Sequence, residues 1–343
     1  MSDAAPEQSR LRSIVERVLV DPTLGVVVLL VVFAIFAAVA LPVFYAGNNL
    51  FNLLGSSITV MILAIGVTVV LISGGIDLSV GAVMALCAGA AATAMRLGAP
   101  VFLAFITALV VGIAAGLLNG LLVTRVGLPD FIATLSTLGF ASGVLYILTQ
   151  GVPIIGYMTP EFRLVGGLQP ILGPVTLPMV IALVLALLVG WLLRSTALGT
   201  RFFAVGSNAI AARQSGIPVR WLKTQAYIVS GTCAAIAGII LAGRNNNVPA
   251  DLGTGYEIQA ISAAIIGGAS LMGGRGRVLG AVLGALTLAL AINIINLVGV
   301  PSSYQKIVIG VILLLAVGAN FVSDRVRAAV LRSRAARLSR TVA

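Results

Sequence analysis

The chain has 343 residues, of which 59% are hydrophobic and only 9% are charged, and its mean hydropathy is +1.14. A soluble surface needs roughly a quarter of all residues charged, so this composition excludes a soluble globular protein and indicates an integral membrane protein. The chain has no histidine, and both cysteines, Cys87 and Cys233, lie inside apolar runs. This excludes a His-based metal or acid–base site and a disulfide framework, so we expect no metal, no cofactor and no catalytic residue.

Stretches with few or no charged residues divide the chain into ten predicted transmembrane segments, because a helix needs about 20 apolar residues to cross roughly 30 Å of hydrocarbon. The predicted segments are 24–44, 57–74, 78–95, 101–124, 131–149, 175–193, 224–242, 257–272, 278–297 and 305–322. The predicted fold class is therefore an all-α polytopic membrane protein. Its transmembrane domain (24–322) lies between an N-terminal tail (1–23) and a basic C-terminal tail (323–343).

The first segment has an alternative interpretation as a cleaved signal peptide, since Ala38-Val39-Ala40 follows an apolar run. That run is about 20 residues long, against the usual 7–15 of a signal peptide, so a retained membrane helix is favoured.

Basic residues predict the orientation. With the N-terminus inside, seventeen Lys and Arg residues lie on the cytoplasmic side and four, Arg96, Arg163, Arg244 and Lys306, lie outside. Cytoplasmic loops carry the excess of Lys and Arg, so both termini are predicted to be cytoplasmic. The net charge of +11 thus reflects topology and contact with the lipid bilayer, and nucleic acid is not an expected partner.

Two segments, 57–74 and 257–272, are short and end in glycine pairs, which predicts helices that are broken or partly re-entrant. Asp77 is the only charge in the long apolar stretch around the first pair. One interpretation is that Asp77 caps the helix that follows; the other is that its charge serves a gate or a partner contact. The residues assigned to a gate or helix break are Gly74, Gly75, Asp77, Ser79, Gly81, Gly273 and Gly274.

Residues 194–223 form the longest predicted cytoplasmic stretch between crossings. Ser207 or Asn208 is a suitable N-cap for a short helix through Arg213, which Gly216 and Pro218 would end. Alanines at 209, 211 and 212 would then offer a small-residue face to another protein, although a plain solvated loop explains the same residues.

Neither lysine of the chain, Lys223 or Lys306, follows a glycine-rich loop, so the sequence contains no P-loop for ATP. If ATP drives transport, the site that binds and hydrolyses it must therefore lie on another subunit.

Four motifs in order carry a resemblance to a known family. They are Gly-Gly-Ile-Asp-Leu-Ser-Val-Gly-Ala at 74–82, Leu-Pro-Asp-Phe-Ile-Ala-Thr-Leu at 128–135, the stretch from 204–208 through 215–217, and Ala-Ala-Ile-Ile-Gly-Gly-Ala-Ser-Leu-Met-Gly-Gly at 263–274. Over roughly residues 25–322 the chain resembles the permease subunit of bacterial ribose-type sugar ABC transporters.

This resemblance implies a multi-pass protein of the bacterial inner membrane that works as a dimer. Its implied partners are two cytoplasmic ATP-binding subunits, a periplasmic sugar-binding protein and a second permease subunit. The resemblance also implies a coupling region near 196–217 that contacts the ATPase. The residues assigned to that contact are Gly199, Ala204, Gly206, Asn208, Ala211, Ala212 and Gly216.

A sugar pathway is expected to use uncharged polar side chains, and the candidates are Asn119, Gln259, Asn293 and Asn296. Asn293 and Asn296 are three residues apart and share a helix face. Hydrogen bonding between packed helices is the alternative role for these side chains. The polar stretch from Arg244 to Glu257 is the longest predicted external loop and the candidate dock for the binding protein, although an unoccupied loop explains it equally well.

Two other classes fit less well. A secondary transporter usually couples to its ion through a membrane-embedded carboxylate or His, whereas Asp77 is predicted near a cytoplasmic end. An intramembrane enzyme would need an acid–base pair that the sequence does not offer. Within the transporter class, a permease for a polyol or a branched amino acid remains the alternative to a sugar permease.

Overall fold

The computed structural model describes residues 22–301 and 304–318. Nearly all of the predicted N-terminal tail (1–23), the end of the tenth predicted segment and the whole C-terminal tail (323–343) lie outside the described residues, as do their arginines. Within the described residues, seven helices are long and apolar enough to cross a membrane, and three shorter apolar helices accompany them. The chain is a helical, polytopic membrane protein.

The helices in chain order are α1 (Pro22–Ala40), α2 (Gly47–Ile72), α3 (Val80–Arg96), α4 (Val101–Leu121), α5 (Asp130–Thr149), α6 (Pro160–Gly166), α7 (Leu177–Ser195), α8 (Ala197–Ser207), α9 (Ala209–Gln214), α10 (Val219–Asn245), α11 (Tyr256–Ile266), α12 (Val278–Leu297) and α13 (Gln305–Gly318). A 3-10 turn (Pro42–Tyr45) follows α1, and a π-turn (Leu122–Val126) extends α4. The strands are β1 (Ile154–Ile155), β2 (Pro170–Leu172), β3 (Val175–Thr176) and β4 (Asn247–Val248).

Every predicted segment has a corresponding helix, but several predicted boundaries are wrong. Helix α2 has 26 residues, so the prediction of a short helix at 57–74 is wrong because Asn48, Asn49 and Asn52 are also helical. Helix α11 is short, as predicted, but it ends at Ile266 and leaves the glycines at 273 and 274 in a loop. The all-α prediction also missed two antiparallel pairs, β1 with β4 and β2 with β3. Strands of two or three residues are too short to show a period-two pattern.

Helices α2, α3 and α10 form the centre of the bundle. Helix α10 packs against α2, α3 and α4, and the approach to α4 is close because Gly112, Gly116 and Gly120 recur every four residues on the α4 surface that meets α10. Small residues at this spacing let two backbones pack tightly in a membrane. The peripheral helices α1, α4, α5 and α7 expose large apolar side chains such as Phe140 and Leu187, which suits contact with lipid.

Helices α3 and α11 both begin inside the bundle. After α2 ends, residues 73–79 return along α10 in irregular conformation, and α3 starts only at Val80. After α10 ends, residues 246–255 return along α3, and α11 starts at Tyr256. The two helix starts meet, because a Cβ added to Gly81 would lie 2.5 Å from Glu257 Oε2 and 2.6 Å from the Gly253 carbonyl oxygen. Irregular backbone at this depth is tolerated only when protein or a water-filled cavity surrounds it.

Candidate functional site

Asp77 is the centre of a buried polar network in the segment between α2 and α3, and its side chain is 3% exposed. Its Oδ1 accepts hydrogen bonds from the backbone N–H of Ser79 at 2.9 Å and from the Ser79 hydroxyl at 2.6 Å. Its Oδ2 accepts from the Ser230 hydroxyl at 2.7 Å. Asn119 Nδ2 donates to Ser79 Oγ at 2.8 Å, so this network joins α3, α4 and α10.

The sequence prediction for Asp77 needs two corrections. Asp77 does not cap helix α3: the N-cap residue is Ser79, and the backbone N–H that Asp77 accepts is that of Ser79, which lies before the first helical residue. Asp77 also does not lie near the end of the bundle. Its partner Ser230 is the twelfth residue of α10, about 17 Å along that helix at 1.5 Å per residue. Sequence reasoning could not find this depth, because it depends on how residues 73–79 fold back along α10.

Side chains from two helices hold the segment in front of Asp77. Lys223 Nζ donates to the Gly74 carbonyl at 3.0 Å. Asp130 Oδ2 accepts the Ile76 N–H at 2.7 Å, and the Tyr227 hydroxyl donates to the Ile76 carbonyl at 3.3 Å. Buried backbone groups outside a helix need such partners. The segment is therefore fixed to α5 and α10 rather than free to move by itself.

Gly74, Gly206, Gly273 and Gly274 meet at one point, which we call the glycine contact. A Cβ on Gly206 would overlap the Ile72 carbonyl oxygen, and one on Gly273 would lie 3.0 Å from Gly74 Cα. The Gly274 N–H donates to the Ile72 carbonyl at 2.9 Å. Gly74, Gly273 and Gly274 also have positive φ. The two predicted glycine breaks thus touch each other and the end of α8.

Gly75 and Gly81, the other two glycines assigned to the break, have different places. Gly75 packs against the Tyr227 hydroxyl and Val70. Gly81 is not in the break: it is the second residue of α3 and packs against residues 253–257.

Helices α8 and α9 occupy the stretch predicted to couple to an ATPase. The Asn208 side chain caps α9 by accepting the N–H groups of Ile210 and Ala211, both at 3.0 Å, and Gly216 follows the helix with φ +78°. The predicted short helix and its cap are confirmed. Helix α8 was missed, although Thr196 supplies a recognisable N-cap by accepting the Gly199 N–H at 3.1 Å.

Only some of the residues assigned to ATPase contact are exposed. Asn208, Ala211 and Gly216 are exposed, whereas Ala204 and Gly206 are half-buried and Gly199 and Ala212 are buried. Gly199 packs against the carbonyl groups at the end of α7, so it serves the fold. Ala212 faces the protein, which contradicts the predicted alanine face. The exposed apolar side chain is instead Ile210, at 74%.

A cavity of about 300 Å³ lies at the end of the bundle opposite to α8 and α9. Three of the four predicted pathway residues, Gln259, Asn293 and Asn296, line it, together with Asn52 and Arg244 among others. Asn293 also exchanges hydrogen bonds with Asn49, and Asn296 accepts from Gln305. Asn119 is not in the cavity but in the Asp77 network. Asn119, and in part Asn293, thus have the alternative role given above, hydrogen bonding between packed helices.

The stretch from Arg244 to Glu257 is not the external loop that the sequence predicted. Residues beyond Val248 enter the bundle beside α3. The outer surface is formed in part by α6, which Phe162 and Gly166 anchor near Gly243. On α6 the pKa of Glu161 is lowered because its carboxylate accepts hydrogen bonds from its own backbone N–H and from Thr159.

Comparison with known proteins identifies the family. Residues 49–317 match the family described as the branched-chain amino acid transport system / permease component. The chain belongs to this permease family. It is 39% identical over 296 residues to the ribose import permease protein of Escherichia coli K12, covering 85% of this chain and 91% of that protein.

Other relatives give the same family. The ribose import permease protein of Haemophilus influenzae is 34% identical over 281 residues, which cover 81% of this chain and 87% of the relative. The autoinducer 2 import system permease protein of Yersinia pestis (strain Pestoides F) is 35% identical over 290 residues, which cover 84% of this chain and 81% of the relative. No solved structure matches this chain. The resemblance predicted from four motifs is therefore confirmed.

Proposed function

We propose that this chain is the membrane subunit of an ATP-driven importer that takes a neutral sugar from a periplasmic binding protein. The relatives named for ribose and autoinducer 2 import support a sugar-like ligand over a branched amino acid. The glycine contact is the observation that carries the mechanism. It joins the α8–α9 surface to both breaks in the bundle, so a force on that surface reaches the helices around the Asp77 network.

We further propose ten crossings with both termini in the cytoplasm of a bacterial inner membrane. Two crossings consist of an irregular half and a helical half, at 73–96 and 246–266. The described basic residues support this orientation, because eight belong to the end with α8 and α9 and four to the other end. The eight are Arg125, Arg194, Arg201, Arg213, Arg220, Lys223, Arg275 and Arg277. Arg277 also donates to Thr23 at the start of α1, which supports a common side for the two helix starts.

The partner ATPase is proposed to bind the exposed side of α9, with Ile210 as its apolar anchor and Arg213 beside it. Closure of the ATPase subunits on ATP would move α8 and α9, and Gly206 would carry that movement to Ile72 and Gly274. The breaks would then change their arrangement and switch access from one side to the other. The chain contributes no chemistry to ATP hydrolysis in this proposal.

The cavity with Gln259, Asn293 and Asn296 is the proposed outer part of the sugar path. Its volume is at the lower end of the range for small-ligand pockets, and amide groups can both donate to and accept from sugar hydroxyls. A periplasmic binding protein would release its sugar above this cavity. A second permease subunit, most simply another copy of this chain, would complete the path.

Uptake by vesicles that contain the permease, its ATPase subunits and its binding protein tests the proposed function. Labelled ribose, other pentoses, hexoses, ribitol and leucine are compared with and without ATP. We expect ATP-dependent accumulation of at least one sugar and none of leucine. Accumulation of leucine without any sugar would overturn the proposal.

A further inference from the structure

An ionised Asp77 carries a negative charge that its hydrogen-bond partners in the described part of the chain do not balance. The carboxylate accepts from three neutral donors, the Ser79 N–H and the hydroxyls of Ser79 and Ser230. Lys223 precedes Ser230 on α10 by seven residues, about 10 Å along the helix, and donates to the Gly74 carbonyl instead. The N-terminal end of α3 offsets roughly half an elementary charge. The rest of the charge is buried, which is strongly unfavourable.

Asn119 adds to the same network a buried oxygen atom that has no hydrogen-bond partner among the described residues. The Asn119 side chain is 1% exposed. Its Nδ2 donates to Ser79 Oγ at 2.8 Å, so the amide group faces the network. The unpartnered atom is Oδ1, which is bonded to the same carbon atom as Nδ2. A buried amide oxygen is an acceptor that needs an N–H, an O–H or a cation beside it.

A proton or a metal cation can neutralise the carboxylate, and the network suits a metal cation better. A proton would add a fourth donor to a carboxyl group that is already surrounded by three donors. It would also leave Asn119 Oδ1 without a partner. A metal cation binds lone pairs, and both serine hydroxyls keep a lone pair while they donate to Asp77. The same cation can take Asn119 Oδ1 as a further ligand.

The ligand set indicates a small monovalent cation. Carboxylate, hydroxyl and amide oxygens are the ligands of hard cations. A single carboxylate balances a single positive charge, and the described residues contain no group of three or more His, Cys, Asp or Glu that could hold a metal ion. In membrane proteins, Na⁺ is held where unwound backbone interrupts a helix. The irregular segment 73–79 between α2 and α3 is such an interruption.

We propose that the Asp77 network binds one small monovalent cation of the class of Na⁺. Its ligands are the Asp77 carboxylate, Asn119 Oδ1 and the hydroxyls of Ser79 and Ser230. Because Asn119 belongs to α4 and Ser230 to α10, the cation fastens the break between α2 and α3 to both helices. It is a resident part of the fold and not the ion that drives transport, so the proposal is independent of which solute the chain carries.

Thermal unfolding of the purified full-length chain in lipid nanodiscs tests the site without any transport measurement. The unfolding midpoint is followed while sodium chloride replaces choline chloride stepwise at constant ionic strength. Asp77→Asn removes the charge and keeps the size of the side chain. Asp130→Asn is the matched control, because Asp130 also holds the segment 73–79, by accepting the Ile76 N–H at 2.7 Å, but is not a ligand of the proposed cation.

Sodium at ten times its dissociation constant should raise the ratio of folded to unfolded parent protein about elevenfold, or about 1.4 kcal/mol. The midpoint should then rise by roughly 3–6 °C and level off as the site fills. Asp130→Asn should show the same rise and Asp77→Asn none. Equal midpoints of the parent in sodium and in choline would overturn the inference. An equal rise in Asp77→Asn would also overturn it, because that result would show a general effect of salt.

Binding of radioactive sodium to the same purified protein gives a second measurement that does not depend on unfolding. The parent and Asp130→Asn should each bind one ion per chain, and an excess of unlabelled sodium should displace it. Asp77→Asn should bind none. A parent protein that binds no displaceable sodium would refute the site, whatever the stability of the two variants.

Discussion

Replacing Gly206 with alanine is expected to separate ATP hydrolysis from transport. The added Cβ would overlap the Ile72 carbonyl oxygen and lie 2.6 Å from the Gly274 nitrogen. Both are backbone atoms that cannot rotate away, so α8 must move off the two breaks. Overpacking of this kind costs roughly 1–3 kcal/mol, which corresponds to about a 5- to 150-fold shift between a seated and a displaced α8.

The matched control is Gly139→Ala on α5. Gly139 is exposed, its φ is not positive, and no atom lies within 4 Å of an added Cβ. This variant should behave like the parent or be slightly more stable, because alanine favours a helix by about 1 kcal/mol over glycine. Any effect of a new methyl group in general would appear in both variants.

Uptake of labelled sugar and ATP turnover are measured on the same vesicles, at equal amounts of permease. Gly206→Ala should keep most of the ATP turnover, while sugar uptake per ATP hydrolysed should fall by at least about fivefold, the lower end of the 5- to 150-fold range given above. Gly139→Ala should keep both. Uptake per ATP equal in the two variants would refute the role of the glycine contact in coupling.

Three further changes have defined outcomes. In sodium-free buffer, Asp77→Asn should lower the free energy of unfolding by less than about 1 kcal/mol, because the amide oxygen still accepts the Ser79 N–H and the amide N–H can donate to Ser230 Oγ. Asp77→Leu leaves the buried Ser79 N–H unpaired and should lower the free energy of unfolding by roughly 1–3 kcal/mol. Thermal unfolding of the purified protein measures this, and equal midpoints for the two variants would contradict it; loss of uptake in a stable Asp77→Asn would show that the charge itself is used. Ile210→Ser should weaken ATPase binding by about tenfold, as for an exposed interface anchor worth roughly 1–2 kcal/mol, while Ile155→Ser at the opposite end of the bundle should not. Titration of the ATPase subunits onto vesicles measures the affinity. Unchanged affinity in Ile210→Ser would rule out α9 as the anchor. Gln259→Ala should reduce uptake at low sugar concentration by about fivefold, which corresponds to the loss of one hydrogen bond of about 1 kcal/mol, and should leave ATPase binding unchanged. An unchanged KM for sugar would show that Gln259 does not line the path.

Several elements could be predicted because their signals are local. The predicted bounds of α12, 278–297, agree with the structure, since Arg277 precedes the charge-free run and Gly299 follows it. The cap of α9 was also predictable, because an Asn directly before a short helical stretch that a Gly ends is a typical pattern of an N-capped helix. Thr196 is likewise a recognisable N-cap residue and predicts the start of α8, which the interpretation of this stretch as a loop overlooked, although no glycine follows Ser207 to mark the end of the helix.

The depth of Asp77 and the descent of residues 248–257 depend on packing between distant parts of the chain, which local patterns do not contain. The sequence does relate the two regions to each other through an internal repeat, although the repeat does not give their depth. Asp77-Leu78-Ser79-Val80-Gly81 has a counterpart in Asp251-Leu252-Gly253-Thr254-Gly255, and each stretch lies at the start of a helix inside the bundle. A Gly-Ala-Val also stands six residues after Gly75 and six residues after Gly274, an echo that the abundance of Gly and Ala explains at least as well by chance. In the structure the two glycine pairs touch.

We propose that ATP on partner subunits, and not an ion gradient, drives sugar through this chain. The deeply buried Asp77 makes this worth testing directly, because a carboxylate at that depth is also what an ion-coupled carrier would use. Sugar accumulation is measured in vesicles that contain the permease alone under an imposed proton or sodium gradient, and in vesicles that contain the complete assembly with ATP and no gradient. Sugar is expected to accumulate only in the second case. Gradient-driven accumulation by the permease alone would contradict it.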